Sequence, residues 1–135
     1  MKNKSDIIWL DSVDSTNDEA KRRIPELDNL SVLSAMSQSN GKGQRGNTWQ
    51  SEKGKNLLIS IILKFDRGIG HSIQAYDQFA ISEVAALSVT DLLSEYGIEA
   101  KIKWPNDIYV NDRKICGILI ENSLKGEWIS HSIIG

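Results

Sequence analysis

The chain has 135 residues, 40% of them apolar and 25% charged, with a formal net charge of -2. That length suits one domain around one core, and the composition excludes a disordered tail, a collagenous segment and, with no apolar run near about 18 residues, a membrane-spanning helix. The slight acidity argues against a nucleic-acid coat protein. The single cysteine, Cys116, and a start without a long apolar stretch point to a soluble cytoplasmic protein without a signal peptide.

Residues 7–10 (Ile-Ile-Trp-Leu) read as a short strand. A helix of about seven residues is expected from Asn17 on, with Thr16 as N-cap, Glu19 completing a capping box, and Lys21, Arg22 and Arg23 in the last turn where the helix dipole favours cations. Pro25 forbids its continuation. Residues 31–37 are a second strand, and 39–55 a long polar loop with Gly41, Gly43, Gly46 and Gly54. Residues 56–65 (NLLISIILKF) form a nearly unbroken aliphatic run, expected as a strand buried on both faces. Over 73–96 apolar residues recur at helical spacing, with Tyr76, Ala80, Val84 and Leu87 in one row and Ile81, Ala85, Val89 and Leu92 beside it. Gly97 is placed to end that helix. Strands over 101–104, 108–110, 114–121 and 128–134 follow, with turns at Asn111-Asp112 and Lys125-Gly126. Helices and strands are segregated rather than alternating, which predicts an α+β fold occupying 1–135 as one domain.

Two segments concentrate charge. Between Lys42 and Lys55 four cations face Glu52 alone, among glycines that let backbone N–H groups approach a ligand closely. Such a loop suits an anion such as phosphate; the alternative is a soluble surface loop. It carries neither a Walker ending nor a GxGxxG motif. The second segment is Lys103-Trp104-Pro105-Asn106-Asp107, followed by Arg113-Lys114-Ile115-Cys116-Gly117. A lysine in an apolar strand is costly unless its ammonium finds a partner. Lys103 and Lys114 therefore either converge on one anion or point to solvent from an edge strand. His71 and His131 lack neighbours at metal-ligand spacing, no nucleophile elbow occurs, and Cys116 reads as a small core residue.

Taken together, these blocks resemble the catalytic domain of biotin protein ligases. The matching segments come in the family's order: Asp14-Ser15-Thr16-Asn17, then Gln38 with Gly41-Lys42-Gly43-Gln44-Arg45-Gly46 and Trp49, then KWPND at 103–107, then Arg113 through Glu121. The resemblance implies a mixed, mainly antiparallel sheet backed by helices, related to that of lipoate ligases. It implies ATP-dependent conversion of biotin to biotinyl-5′-adenylate and transfer to a lysine of a biotin carboxyl carrier protein. By the same likeness Ser15, Thr16 and Gln38 hold the ureido ring, while Asn17, Gly41, Lys42, Gly43, Gln44 and Gly117 complete the biotin site. Lys42, Gln44, Arg45, Gly46, Trp49, Lys103, Asn106 and Asp107 meet ATP and the adenylate, with Trp49 stacking on adenine. Lys114, with Lys103, is the catalytic cation between the biotin carboxylate and the α-phosphate. The protein alone would hold no metal; Mg2+ would arrive with ATP near Asp107. The family often has arginine at positions 42 and 44, so Gln44 reads as a loop contact. The family domain continues beyond Gly135, and the repressor type begins with a DNA-binding helix-turn-helix. The chain is therefore expected to be truncated at its C-terminus and to bind no DNA, with a second copy in a homodimer one way to cover exposed core. A lipoate- or octanoate-attaching enzyme and a biotin-binding module without turnover are the rival readings.

Overall fold

The computed structural model describes residues 6–65 and 72–135, so His71 lies outside the described residues. Among these residues ten strands and two α-helices follow one another as β1 (Ile7–Val13), α1 (Thr16–Arg23), β2 (Val32–Gln38), β3 (Gly41–Lys42), β4 (Thr48–Trp49), β5 (Leu58–Lys64), α2 (Phe79–Glu95), β6 (Lys101–Lys103), β7 (Asp107–Val110), β8 (Arg113–Gly117), β9 (Ile120–Lys125) and β10 (Trp128–Ile134). The main sheet has the order β1-β2-β5-β10-β9; a second sheet is β6-β7-β8, and β3-β4 form a small ribbon. Among the described residues only β1 and β2 pair in parallel, which requires a crossover, and α1 supplies it. The α+β expectation with a mainly antiparallel sheet holds. No helix among the described residues is long and apolar enough to cross a membrane.

Local chemistry accounts for the boundaries. Ser15, not Thr16, is the N-cap of α1: its backbone is extended and its hydroxyl accepts the Asp18 N–H. Thr16 enters the first turn and its side chain is freed for other work. A 3₁₀ turn at Ile24–Glu26 carries Pro25 and ends the helix as expected. Gly97 sits at φ +71° after α2, and the Ile98 N–H returns to the Leu93 carbonyl. Asn111 and Asp112 both have positive φ, the signature of a two-residue hairpin turn with the twist that strands prefer. The loop over 39–55 is partly ordered, because β3 and β4 pair across a 3₁₀ turn at Gln44–Gly46.

The main sheet separates two cores. On one face Leu33, Ile62 and Ile133 pack against Ala20 of α1 and Leu27. On the other, Ile120 and Ile134 pack against Ile108, Ile118 and Ala86 of α2. Ile133 and Ile134 are chain neighbours, so the period of two sends them to opposite cores. The central strand β5 buries Leu58, Ser60 and Ile62 fully but leaves Ile59, Ile61 and Leu63 half-buried, and Leu57 is 75% exposed. Burial on both faces is thus corrected to one fully buried face. In α2 the two apolar rows part: Ile81, Ala85 and Val89 turn to the core with Ala86, whereas Val84, Leu87 and Leu92 are exposed. That helix is apolar almost all round, so periodicity could not select its buried stripe. The strand expected over 114–121 is two strands, parted at Ile118 and Leu119 and assigned to different sheets. Ile62→Ala, at the centre of the first core, should cost about 2–5 kcal/mol through lost burial and a residual cavity. Urea unfolding measures it, and an unchanged midpoint would contradict this packing.

Candidate active site

The N-terminus of α1 meets β2 and β5 in a cluster of buried polar groups: Ser15, Thr16, Asn17 and Ser60. Gln38, at the end of β2, accepts the Thr16 N–H at 2.8 Å and the Thr16 hydroxyl at 3.1 Å through Oε1. The Ser60 hydroxyl lies 2.8 Å from Thr16 Oγ1 and 2.5 Å from Asn17 Oδ1. Asn17 Nδ2 donates to the Leu119 carbonyl and, at 3.0 Å, to Glu121 of β9. Gly135 backs onto the Asn17 amide with no room for a Cβ. Among the described residues Gln38 Nε2 and the Ser15 hydroxyl proton have no acceptor, so the cluster keeps donors for a polar guest. An open groove of about 340 Å³ runs beside it, lined by Gln38, Gly41, Thr48 and Trp49 among others.

A second cluster lies on one face of the β6-β7-β8 sheet. Lys103 pairs with Asp107 and Lys101 with Tyr109 in the ladder, so their side chains share a face. Lys103 Nζ sits 5.4 Å from the Tyr109 ring centre. Across β7 and β8 the register shifts: Ile108 opposes Cys116, yet Tyr109 opposes Lys114 rather than Ile115. This bulge turns Lys114 onto the Asp107 face, where Nζ meets the carboxylate at 2.8 Å. Regular alternation would have left Lys114 beside Cys116 on the core side. Both lysines therefore face the same side of one small sheet.

The glycine-rich ribbon joins the two clusters. Gly41 is the register partner of Trp49, and a Cβ on Gly41 would collide with the Trp49 carbonyl and crowd Gln38 Nε2. From the far strand of this ribbon the Trp49 ring covers Gly117, where a Cβ would come within 2.7 Å of it, and Lys114 Nζ lies 5.2 Å from the ring centre. Lys42 turns back to α1, where its ammonium touches Oδ1 and Oδ2 of Asp18, each at 2.7 Å. Arg45 and Gly46 form the tip with positive φ; among the described residues the Gln44 and Arg45 side chains make no hydrogen bond or ion pair, and Gly43 donates its N–H to the Asn47 carbonyl. Asn106 is buried: Nδ2 donates to the Ile118 carbonyl at 3.1 Å, its own carbonyl accepts the Ile118 N–H, and Oδ1 has no partner. It thus clasps the junction between β8 and β9 behind the cationic face.

Electrostatics follow the pairs. The Arg22 guanidinium, assisted by the Ser15 N–H, holds the Asp14 carboxyl far below the usual carboxylate range. Lys42, opposed by partial burial, lowers Asp18. Glu121 raises Lys21. Burial pushes the Cys116 thiol up and the His131 imidazole down, so neither is an activated nucleophile or a charged base at neutral pH. No group of three or more metal-ligating side chains occurs among the described residues. Because Asp18 is depressed in the folded state, its contribution to stability is full above the ordinary carboxyl value and lost as pH falls through the folded value. Stability should therefore decline below about pH 4, and Asp18→Asn should flatten that decline. Urea midpoints measured across that range check it; identical slopes for the two proteins would remove the Lys42 pair as the cause.

The structure brings together Ser15, Thr16, Asn17 and Gln38, and separately Trp49, Lys103, Asp107, Lys114 and Gly117, so Gly117, which the sequence reading placed with the biotin residues, lies under the Trp49 ring. That reading missed Ser60, whose signal was a lone hydroxyl in an aliphatic run, and Asp18, whose signal was an acid one turn from the pocket.

The fold and site together define a domain with buried polar groups at a helix N-terminus, two lysines on one face of an adjoining small sheet, and a glycine-rich ribbon between. Residues 9–135 match the biotin/lipoate A/B protein ligase family, and the chain belongs to that family. It is 34% identical over 124 residues to the bifunctional ligase/repressor BirA of Escherichia coli, covering 91% of this chain and 37% of that protein. It is 35% identical over 125 residues to the biotin–[acetyl-CoA-carboxylase] ligase of Paracoccus denitrificans, covering 90% of this chain and 49% of that one. The structure is similar to biotin acetyl coenzyme A carboxylase synthetase from Helicobacter pylori with bound biotinylated ATP (TM-score 0.73, 25% identity, 97% of this chain and 60% of that chain). It is also similar to biotin protein ligase from Aquifex aeolicus in complex with biotin and ATP (TM-score 0.71, 29% identity, 96% and 50%). The chain thus spans about a third to a half of the length of these two curated relatives.

Proposed function

We propose that these residues handle biotin and nucleotide in an ATP-dependent biotin–protein ligase whose acceptor is a lysine of a biotin carboxyl carrier protein in the cytoplasm. The observation that carries this reading is the shared face of Lys103, Asp107 and Lys114, reached by Trp49 from a ribbon rooted at Gln38. Biotin's ureido ring, a neutral group with donors and acceptors, matches the buried cluster of Ser15, Thr16, Asn17 and Gln38. An apolar dithiolane would leave such groups unpaired, at about 1–3 kcal/mol each, which favours biotin over lipoate.

In the first step the biotin carboxylate attacks the α-phosphorus, the bond to the bridging oxygen breaks, and pyrophosphate leaves. Two anions must approach, so the protein's task is to position them and neutralise their repulsion. Lys114 exchanges its Asp107 partner for the carboxylate and α-phosphate oxygens, and Lys103 faces the same phosphate from β6. Trp49 offers its ring to adenine, and Lys42, Gln44, Arg45 and Gly46 close over the phosphate. Asp107 is the carboxylate that would reach a Mg2+ held on the triphosphate, and a single carboxylate suits an ion that binds phosphates and waters and partly neutralises their charge. In the second step the acceptor amine attacks the carboxyl carbon, the bond to phosphate breaks and AMP leaves, with Asp107 or the AMP phosphate taking the proton.

The test is an assay of the purified chain with biotin, MgATP and a carrier domain, following pyrophosphate release and streptavidin-detectable transfer. Calorimetric heat with biotin is expected. Heat with lipoate and none with biotin would point to the lipoate class, and biotin heat without pyrophosphate release would mark a binding module.

A further inference from the structure

Ser60 stands alone as a hydroxyl in the middle of the aliphatic strand β5, with 0% of its surface exposed. A serine at the centre of a main sheet forgoes apolar burial and must have its hydroxyl satisfied. Here the hydroxyl touches two consecutive residues of the first turn of α1, Thr16 at 2.8 Å and Asn17 at 2.5 Å. With the Ser60 proton on Asn17 Oδ1, the Thr16 hydroxyl proton is shared between Ser60 Oγ and Gln38 Oε1, which also accepts the Thr16 N–H; Asn17 Nδ2 continues to Glu121, so one chain of polar contacts runs from β2 through α1 and β5 to β9. A proton from Ser60 on Asn17 Oδ1 also fixes the orientation of that amide, because Nδ2 must then face Leu119 and Glu121.

We propose that Ser60 is a positioning residue for biotin binding. It sets the depth and rotation of the first turn of α1, and so the direction in which Thr16 and Gln38 present their groups to the head group. This rests on the biotin reading above. Ser60 touches no ligand itself, since no part of it reaches the surface. Alanine at this position leaves Asn17 Oδ1 buried without a donor and lets the turn shift.

The experiment compares wild type, Ser60→Ala and Ser60→Cys, the latter keeping nearly the same volume and a weak donor. Biotin affinity by calorimetry should fall roughly tenfold in Ser60→Ala, the size of one unsatisfied buried hydrogen bond, and less in Ser60→Cys, with nucleotide affinity unchanged. Hydrogen exchange at the Thr16 amide should quicken in the same order. A serine that merely stabilises the sheet would lower the melting temperature of both variants and leave biotin affinity as it was, and that result overturns the proposal. If Ser60→Ala does not fold, the same comparison rests on Ser60→Cys. Wild type that takes up no biotin would sink the functional reading instead. Thr16 exchange then decides on Ser60 independently, and equal protection in wild type and variant ends the positioning role.

Discussion

Lys114→Ala should leave a folded chain that binds biotin but forms adenylate about 10²–10³-fold more slowly, the loss seen when one preorganised group facing developing charge is removed. The residue is exposed on the Asp107 face of the β6-β7-β8 sheet and contributes to neither core, so truncating it leaves the packing intact. What disappears is the one cation that the β-bulge of β8 turns toward Asp107 and Trp49. Alanine there also frees the Asp107 carboxylate to repel the incoming phosphates, which adds to the loss. Lys114→Arg should recover only part of the rate, because a guanidinium fork cannot replace a compact ammonium in the space beside the Trp49 ring. Gln44→Ala, at the tip of the ribbon and without a side-chain contact, should only weaken the reaction. Pyrophosphate release with biotin and MgATP measures all three, and rates in Lys114→Ala comparable to wild type would remove Lys114 from the chemistry.

Gly41→Ala should weaken biotin and nucleotide binding together, each by tenfold or more. The new Cβ would lie against the Trp49 carbonyl, a backbone atom that cannot swing aside, and within 2.9 Å of Gln38 Nε2. Relief requires β3 and β4 to part, which moves Gln38 away from Thr16 and lifts Trp49 off Gly117. Displacements near 1 Å in positioning groups can cost about a hundredfold in rate. Calorimetry with biotin and with ATP, read separately, tests the coupling: loss of one affinity with the other intact would show that the ribbon does not tie the two clusters together. Gly46→Ala serves as the contrast, since a Cβ there meets nothing within 4 Å and the cost is confined to a positive φ at the exposed tip.

Much of this architecture was legible residue by residue. The strand over 128–134 and the hairpin at Asn111-Asp112 fall where patterning and turn chemistry place them, because both signals are local. Helix α1 starts one residue early, since Ser15 and Thr16 are both competent caps and only the neighbouring Gln38 and Ser60 decide which hydroxyl is free to turn inward. For α2 the sequence is apolar on nearly every face, so its buried stripe depends on where Ile108 and Ile118 sit.

The candidate site divides along the same line. Sequence by itself determined most of the elements, the chemical types and the segments that carry them: a polar turn at the start of α1, a cationic glycine-rich loop, and lysines in short strands. Those follow from composition, spacing and caps, all of which act over a few residues. Tertiary structure alone decided that Lys114 shares a face with Lys103, because a single extra residue at Ile115 inverts the alternation of β8 and nothing local in Lys-Ile-Cys-Gly announces it. Tertiary structure alone also decided that Ser60 reaches Thr16 and Asn17, contacts 44 and 43 residues apart along the chain that form only once β5 lies beneath α1.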